Sequence, residues 1–297
     1  MITVNGIIVG DKHFPDGTLM MLDFDRPMDI NGDGSINIVW KYENDAELFT
    51  LICVVGHIRN NGWGDKINLL LPYIPNARMD RVKEETEVFT LKYFCKVINS
   101  LNLNKVYVLD PHSYVSEALL DRMVKIDPQK YIGQTLDDIE GINIDGGEKY
   151  KGTTVIYFPD AGAMKRYRGL DVFCGRPMIY GEKNRDWKTG EITGLSIYSD
   201  TGTPLAEFGD KPLNDKVVLM IDDIISYGGT LAYSTDELRK LGASAVYAYA
   251  SHTENSLLNE EKGKLLKRMV TGALDELFTT NSIFKYEHPR VYVFEDF

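Results

Sequence analysis

The sequence predicts an α/β protein of two domains, each a mainly parallel sheet flanked by helices. Short apolar runs alternate with amphipathic stretches along the chain. The runs are apolar throughout rather than at every second residue, which marks strands buried on both faces. A chain of 297 residues is too long for one small core and suits two α/β domains of ordinary size.

The elements follow in order. Asp45 is placed to cap a helix whose buried stripe includes Leu48, Ile52 and Val55, ending near Asn60-Asn61-Gly62. Ile67-Asn68-Leu69-Leu70-Leu71 reads as a buried strand. Val88, Leu91, Cys95 and Ile98 recur at helical spacing, and Val106-Tyr107-Val108-Leu109 is the next strand. A boundary near residue 134 divides the chain into 1–134 and 135–297. The second part holds the apolar runs Thr154-Val155-Ile156-Tyr157-Phe158, Val217-Val218-Leu219-Met220-Ile221 and Ala245-Val246-Tyr247-Ala248-Tyr249. Leu231, Leu238 and Leu241 lie at helical spacing before Gly242, a helix terminator.

Composition excludes several function classes. A net charge of −11 argues against a nucleic-acid binder, which needs a basic face to displace counterions. It leaves phosphorylated small molecules open, because a local cradle or a cation overrides a global charge. The three cysteines, Cys53, Cys95 and Cys174, have neither pairing nor metal spacing and read as reduced thiols of a cytoplasmic protein. No apolar stretch is long enough to span a membrane, and the first residues do not form a signal peptide.

In parallel sheets, ligands bind outside the carboxyl ends of the strands. Here those ends carry the unusual chemistry: Leu71-Pro72-Tyr73, Leu109-Asp110-Pro111-His112, Phe158-Pro159-Asp160 and Ile221-Asp222-Asp223. The strongest motif continues from the last of them through Ile224, Ile225, Ser226, Tyr227, Gly228, Gly229 and Thr230. Backbone amides of a glycine loop that opens a helix cradle a phosphate dianion. Asp222 and Asp223 suit two vicinal sugar hydroxyls as hydrogen-bond acceptors. An acidic turn with glycines serving only geometry is the plainer alternative, but a turn needs no pair of acids directly after an apolar strand.

This run resembles the phosphoribosyl pyrophosphate motif of phosphoribosyltransferases and ribose-phosphate pyrophosphokinases. Further segments, in the same order, are similar to the pyrophosphokinases: Phe14-Pro15-Asp16-Gly17-Thr18, Arg78-Met79-Asp80-Arg81, Asp110-Pro111-His112, Pro159-Asp160-Ala161-Gly162-Ala163, Gly181-Glu182-Lys183-Asn184-Arg185 and Thr280-Asn281-Ser282-Ile283. The resemblance implies two phosphoribosyltransferase-like domains. It gives ATP contacts to Phe14, Asp16, Arg78, Met79 and Arg81, with Phe14 reaching a neighbouring copy in a homo-oligomer whose ATP site is shared across a dimer. It makes His112 and Asp160 ligands of magnesium, and Lys183, Arg185 and His112 the catalytic groups, with Lys188, Lys165 and Arg166 competing for the loop role. It gives ribose-phosphate contacts to Asp160, Asp222, Asp223 and Ser226 through Thr230. Met79 stands where the family has glutamine, Ala163 where it has glycine, and Ser226-Tyr227 where it has an acid and a threonine. The acidic Glu84-Glu85-Thr86-Glu87 replaces a basic regulatory segment, so activation by inorganic phosphate is not expected.

The implied reaction is diphosphate transfer from ATP to the anomeric hydroxyl of ribose 5-phosphate. The large Tyr227 also fits a phosphate that continues into another group, such as that of ADP-ribose, as a stacking surface. A phosphoribosyltransferase is a rival reading, weakened by the ATP-type segments. A non-catalytic regulatory subunit is another, favoured by Met79 and Ser226 and opposed by Lys183, Arg185, His112 and Asp160.

Overall fold

The computed structural model describes residues 1–10, 12–21, 24–27, 32–141, 152–173, 175–185 and 192–297; at 184, 185, 192 and 193 it describes the backbone alone. Two compact units result, Met1–Asp127 together with Phe297, and Pro128–Asp296. Residue 134 falls inside a helix of the second unit.

The first unit contains β1 (Ile2–Val4), β2 (Ile7–Ile8), β3 (Lys12–His13), β4 (Leu19–Met20), β5 (Ser35–Trp40), α1 (Glu47–Asn60), β6 (Lys66–Leu71), α2 (Thr90–Ser100), β7 (Lys105–Leu109), α3 (Tyr114–Leu119) and β8 (Met123–Ile126). Its main sheet has the order β2-β1-β5-β6-β7-β8, parallel from β5 to β8, with an antiparallel edge from β1 and β2. Strands β3 and β4 form a separate hairpin. Ile38, Trp40, Leu69 and Val108 from the strands pack with Leu51, Val54, Leu91 and Ile98 from the helices.

Two sequence expectations shift here. Helix α1 starts after Ala46, with no side-chain cap from Asp45. Its buried stripe is Leu51, Val54, Val55 and Ile58, while Ile52 is exposed. Helix α2 begins at Thr90, leaving Val88 exposed, and buries Leu91, Cys95 and Ile98 as expected.

The second unit contains α4 (Gln129–Glu140), β9 (Thr154–Phe158), α5 (Ala161–Tyr167), β10 (Met178–Arg185), β11 (Ile192–Ser199), β12 (Val217–Ile225), α6 (Gly229–Lys240), β13 (Ala245–Thr253), α7 (Lys264–Thr271), β14 (Glu276–Thr280) and β15 (Val291–Phe294). The sheet order is β11-β10-β9-β12-β13-β14-β15, parallel except for the β10–β11 hairpin. Val218, Met220, Val246 and Ala248 pack against Leu231, Leu238, Leu265 and Met269 of α6 and α7. Strand β12 runs on through Asp222 and Asp223 to Ile225, so the acids lie within the strand rather than after it. Among the described residues, no helix is long and apolar enough to cross a membrane.

Candidate functional site

The second unit builds a crevice from unequal strand lengths. Strand β12 pairs with β9 only up to Met220, opposite Tyr157, but with β13 as far as Ile225, opposite Thr253. Beyond Met220 its β9 side is therefore open. Asp222 and Asp223 occupy this overhang, and Asp160 follows the end of β9.

The chain then turns through Ser226, Tyr227 and Gly228 into α6. Gly228 sits at φ 70°, and a Cβ there would lie 2.4 Å from Leu265 Cβ. Both facts require glycine. No side chain caps α6, so its first amides point into the loop with positive partial charge. The outer side of the loop is tied down: Lys264 N–H and Leu265 N–H donate to the Tyr227 carbonyl at 2.9 and 3.3 Å. Ser226 Oγ lies 3.2 Å from Ser256 Oγ, which donates to Glu254 Oε2 at 3.0 Å. A carboxylate thus stands two hydrogen bonds away from Ser226. The Tyr227 ring is 39% exposed.

The paired acids differ in surroundings. Asp223 is buried, and its Oδ1 lies 2.8 Å from Arg166 Nη1 on α5, with side-chain exposures of 5% and 17%. Asp222 accepts the Asp223 N–H at 3.0 Å. Burial first, then the neighbouring Asp223 charge, push the Asp222 carboxyl well above the ordinary carboxylate range, and Asp160 adds to the effect. Asp160 caps α5 by accepting the Ala163 N–H at 2.9 Å.

Lys183 lies on β10, and its Nζ donates to Thr230 Oγ1 at 3.0 Å. The approach depends on Gly181, where a Cβ would lie 2.2 Å from the Tyr157 hydroxyl. That hydroxyl is held 2.8 Å from Ser234 Oγ of α6. Strands β9 and β10 and helix α6 are thus locked together behind the loop. The Arg185 side chain and residues 186–190, including Lys188, lie outside the described residues. Of the competing cations on α5, Lys165 is exposed, whereas Arg166 turns inward to Asp223.

In the first unit, β6 and β7 are parallel neighbours with Leu71 opposite Val108. The 72–81 and 110–112 segments therefore leave the same edge of the sheet. Asn76 adopts φ 61° and its carbonyl accepts the Met79 N–H at 2.9 Å. This turn leaves Arg78 and Arg81 exposed and Met79 half-buried. Asp110 is fully buried at φ 38°, its N–H bonded to Ile126 O at 3.0 Å, and His112 is half-buried beyond it. Phe14, 48% exposed, and Asp16 form the tip of the β3–β4 hairpin. The Thr18 N–H and Oγ1–H donate to Asp16 at 2.9 and 2.7 Å and lower its pKa.

The structure thus joins Lys183 to Thr230 and brings Asp160 near Asp222, while Asp223, the next residue of the strand, turns to Arg166 on the other face. Two features escaped the sequence. Nothing local marks Arg166 as the partner of Asp223, and Lys264 sits in an unremarkable charged helix start. Among the described residues, no three His, Cys, Asp or Glu side chains converge as a metal cluster.

No family model matches the chain. The ribose-phosphate pyrophosphokinase of Sulfolobus acidocaldarius is 30% identical over 277 residues, covering 92% of this chain and 83% of the relative. That of Pyrococcus furiosus is 29% identical over 274 residues, covering 92% and 85%. Among solved structures, phosphoribosylpyrophosphate synthetase from Mycobacterium smegmatis matches with a TM-score of 0.70 at 18% identity, covering 97% of this chain and 85% of that one. This likeness bears on the fold and agrees with two phosphoribosyltransferase-like domains. With its alternating strands and helices, its glycine loop after paired acids and a relative at 30% identity along nearly its whole length, the chain belongs to the ribose-phosphate pyrophosphokinase family.

Proposed function

We propose that the protein transfers the diphosphate of ATP to the anomeric hydroxyl of ribose 5-phosphate. The observation that carries this reading is the Ser226–Thr230 loop, opening α6 directly after Asp222 and Asp223 and touched by Lys183 at Thr230. Loop amides hold the 5-phosphate, and the acids of β12 orient the ribose hydroxyls. The anomeric oxygen attacks the β-phosphorus, the bond from the β-phosphorus to the α–β bridging oxygen breaks, and AMP leaves with that oxygen. The hydroxyl proton passes to solvent. Lys183, and Arg185 beside it in sequence, meet charge on the transferring group, where preorganised cations act most strongly. Arg78 and Arg81 grip phosphate oxygens, Met79 packs on adenine, and Phe14 and Asp16 complete the ATP site of a neighbouring copy in a homo-oligomer. His112, with Asp110 buried behind it, faces the triphosphate.

The donors present suit magnesium. This ion is usually held by one or two carboxylates together with phosphate oxygens and water rather than by an all-protein cage. Asp160 in the second unit and His112 in the first are each proposed as a magnesium ligand within their own unit. Bound magnesium would neutralise charge on the triphosphate.

One observation favours a second acceptor. The exposed Tyr227 ring offers a surface to a group esterified to the 5-phosphate, as in ADP-ribose. The test follows AMP release from ATP and magnesium with ribose 5-phosphate or ADP-ribose at equal concentration. Release with ribose 5-phosphate supports the main reading. A preference for ADP-ribose that is lost in Tyr227→Thr supports the second. Release with neither overturns both.

A further inference from the structure

Lys264 has no part in the reaction described above. It opens α7, its N–H bonds the Tyr227 carbonyl at 2.9 Å, and its backbone is therefore tied to the loop. Its Cδ lies 3.7 Å from where a Cβ on Gly229 would stand, so the side chain runs alongside the loop. Its ammonium ends 5.9 Å from the centroid of the Tyr233 ring, one turn further along α6.

Other cations of these helices have polar partners, Lys267 donating to the Glu261 carbonyl at 3.0 Å. Arg268 bonds Asp236, Arg239 bonds Asp275, and Lys240 bonds Glu237. No carboxylate among the described residues pairs with Lys264, in a chain with 44 acidic and 33 basic side chains. Lys183 reaches the start of α6 from β10, at Thr230. The Lys264 stem passes it from α7 with Cδ beside Gly229, its ammonium resting one turn further along at Tyr233. An exposed cation–π contact is weak, whereas a charge-assisted bond to phosphate is strong. An ammonium resting on an aromatic face beside an anion cradle is therefore ready to move to the anion.

We propose that Lys264 is a phosphate ligand of the acceptor site and sets affinity for the acceptor's phosphate charge. The inference rests on the proposed reaction for its substrate. It assigns Lys264 to ground-state binding, so its removal acts on acceptor affinity and leaves turnover and ATP affinity alone.

The experiment compares the full-length protein with Lys264→Gln, Lys264→Arg and Lys262→Gln, an exposed neighbour in the same charged stretch. It reads the acceptor KM, the ATP KM and kcat, together with calorimetric binding of ribose 5-phosphate and of ADP-ribose without ATP. The expected result for Lys264→Gln is a loss of acceptor affinity of about ten-fold, the scale of one charge-assisted hydrogen bond. Lys264→Arg recovers most of it, and kcat, the ATP KM and the Lys262→Gln protein stay near wild type. An unchanged acceptor affinity in Lys264→Gln, or an equal loss in Lys262→Gln, overturns the proposal. If the wild-type protein binds an acceptor but releases no AMP, the proposed reaction fails while the binding arm still decides the role of Lys264. A wild-type protein that binds neither acceptor overturns both.

Discussion

Asp222 and Asp223 are adjacent in sequence, yet the structure gives them opposite surroundings. Arg166 supplies Asp223 with a cation at 2.8 Å, which favours its ionised form. Removing one partner of a buried pair leaves the other charge uncompensated, which costs about 3 kcal/mol. Arg166→Met is therefore expected to lose about that much stability in urea denaturation. A loss below about 0.5 kcal/mol, the scale of an ordinary surface substitution, would show that the pair contributes little. Asp222 has its pKa raised from 3.8 by burial and by Asp223. Between 3.8 and the raised value the folded chain holds a proton that the unfolded chain has lost. The associated stability is complete below 3.8 and is lost as pH rises through the folded pKa. Urea midpoints of the ligand-free protein in chelator are expected to carry this fall, and Asp222→Asn to remove it. An unchanged pH profile in Asp222→Asn would contradict the assignment.

At the level of elements, α6 is positioned by what lies behind and beside it. Gly228 combines a left-handed backbone with contact against Leu265, whereas a Cβ on Gly229 would meet only Lys264 Cδ at an ordinary 3.7 Å. Gly228→Ala carries about 1–2 kcal/mol of backbone strain, and the overlap with Leu265 adds to it. It is expected to lower Tm clearly, while Gly229→Ala melts near wild type. Equal melting of the two variants would contradict the loop geometry. A continuous apolar run made β9 readable in the sequence, because a strand buried on both faces admits little else, and β6 and β7 were readable from apolar residues that are buried or half-buried. The end of β12 was less readable, because Asp222 and Asp223 are polar yet remain paired with β13. The stripe of α1 shifted because Leu48, Phe49, Leu51, Ile52, Val54 and Val55 put apolar residues nearly all round the helix, and only packing against the sheet selects one face. The site's acids and glycines were legible through their place at the carboxyl ends of apolar runs. Their partners were not: Arg166 and Lys264 are brought to the loop by tertiary packing of α5 and α7, for which no local pattern exists.

The whole molecule holds its family-like segments in two units of one fold class. The 72–81 and 110–112 segments leave the carboxyl edge of the β5–β8 sheet, and the Ser226–Thr230 loop leaves that of the β9–β15 sheet. Glu84, Glu85 and Glu87 are exposed, so the segment after Arg81 presents negative charge where an anionic effector would need the opposite. The proposed reaction requires ATP to give up an intact diphosphate rather than a single phosphoryl group. Phosphorus NMR of the reaction of ATP, magnesium and acceptor tests this most directly. The α-phosphorus is expected in AMP, while the β- and γ-phosphorus signals move together, still coupled, into the product at the anomeric carbon. Formation of ADP with a monophosphorylated acceptor, or separation of the β- and γ-phosphorus signals, would contradict it.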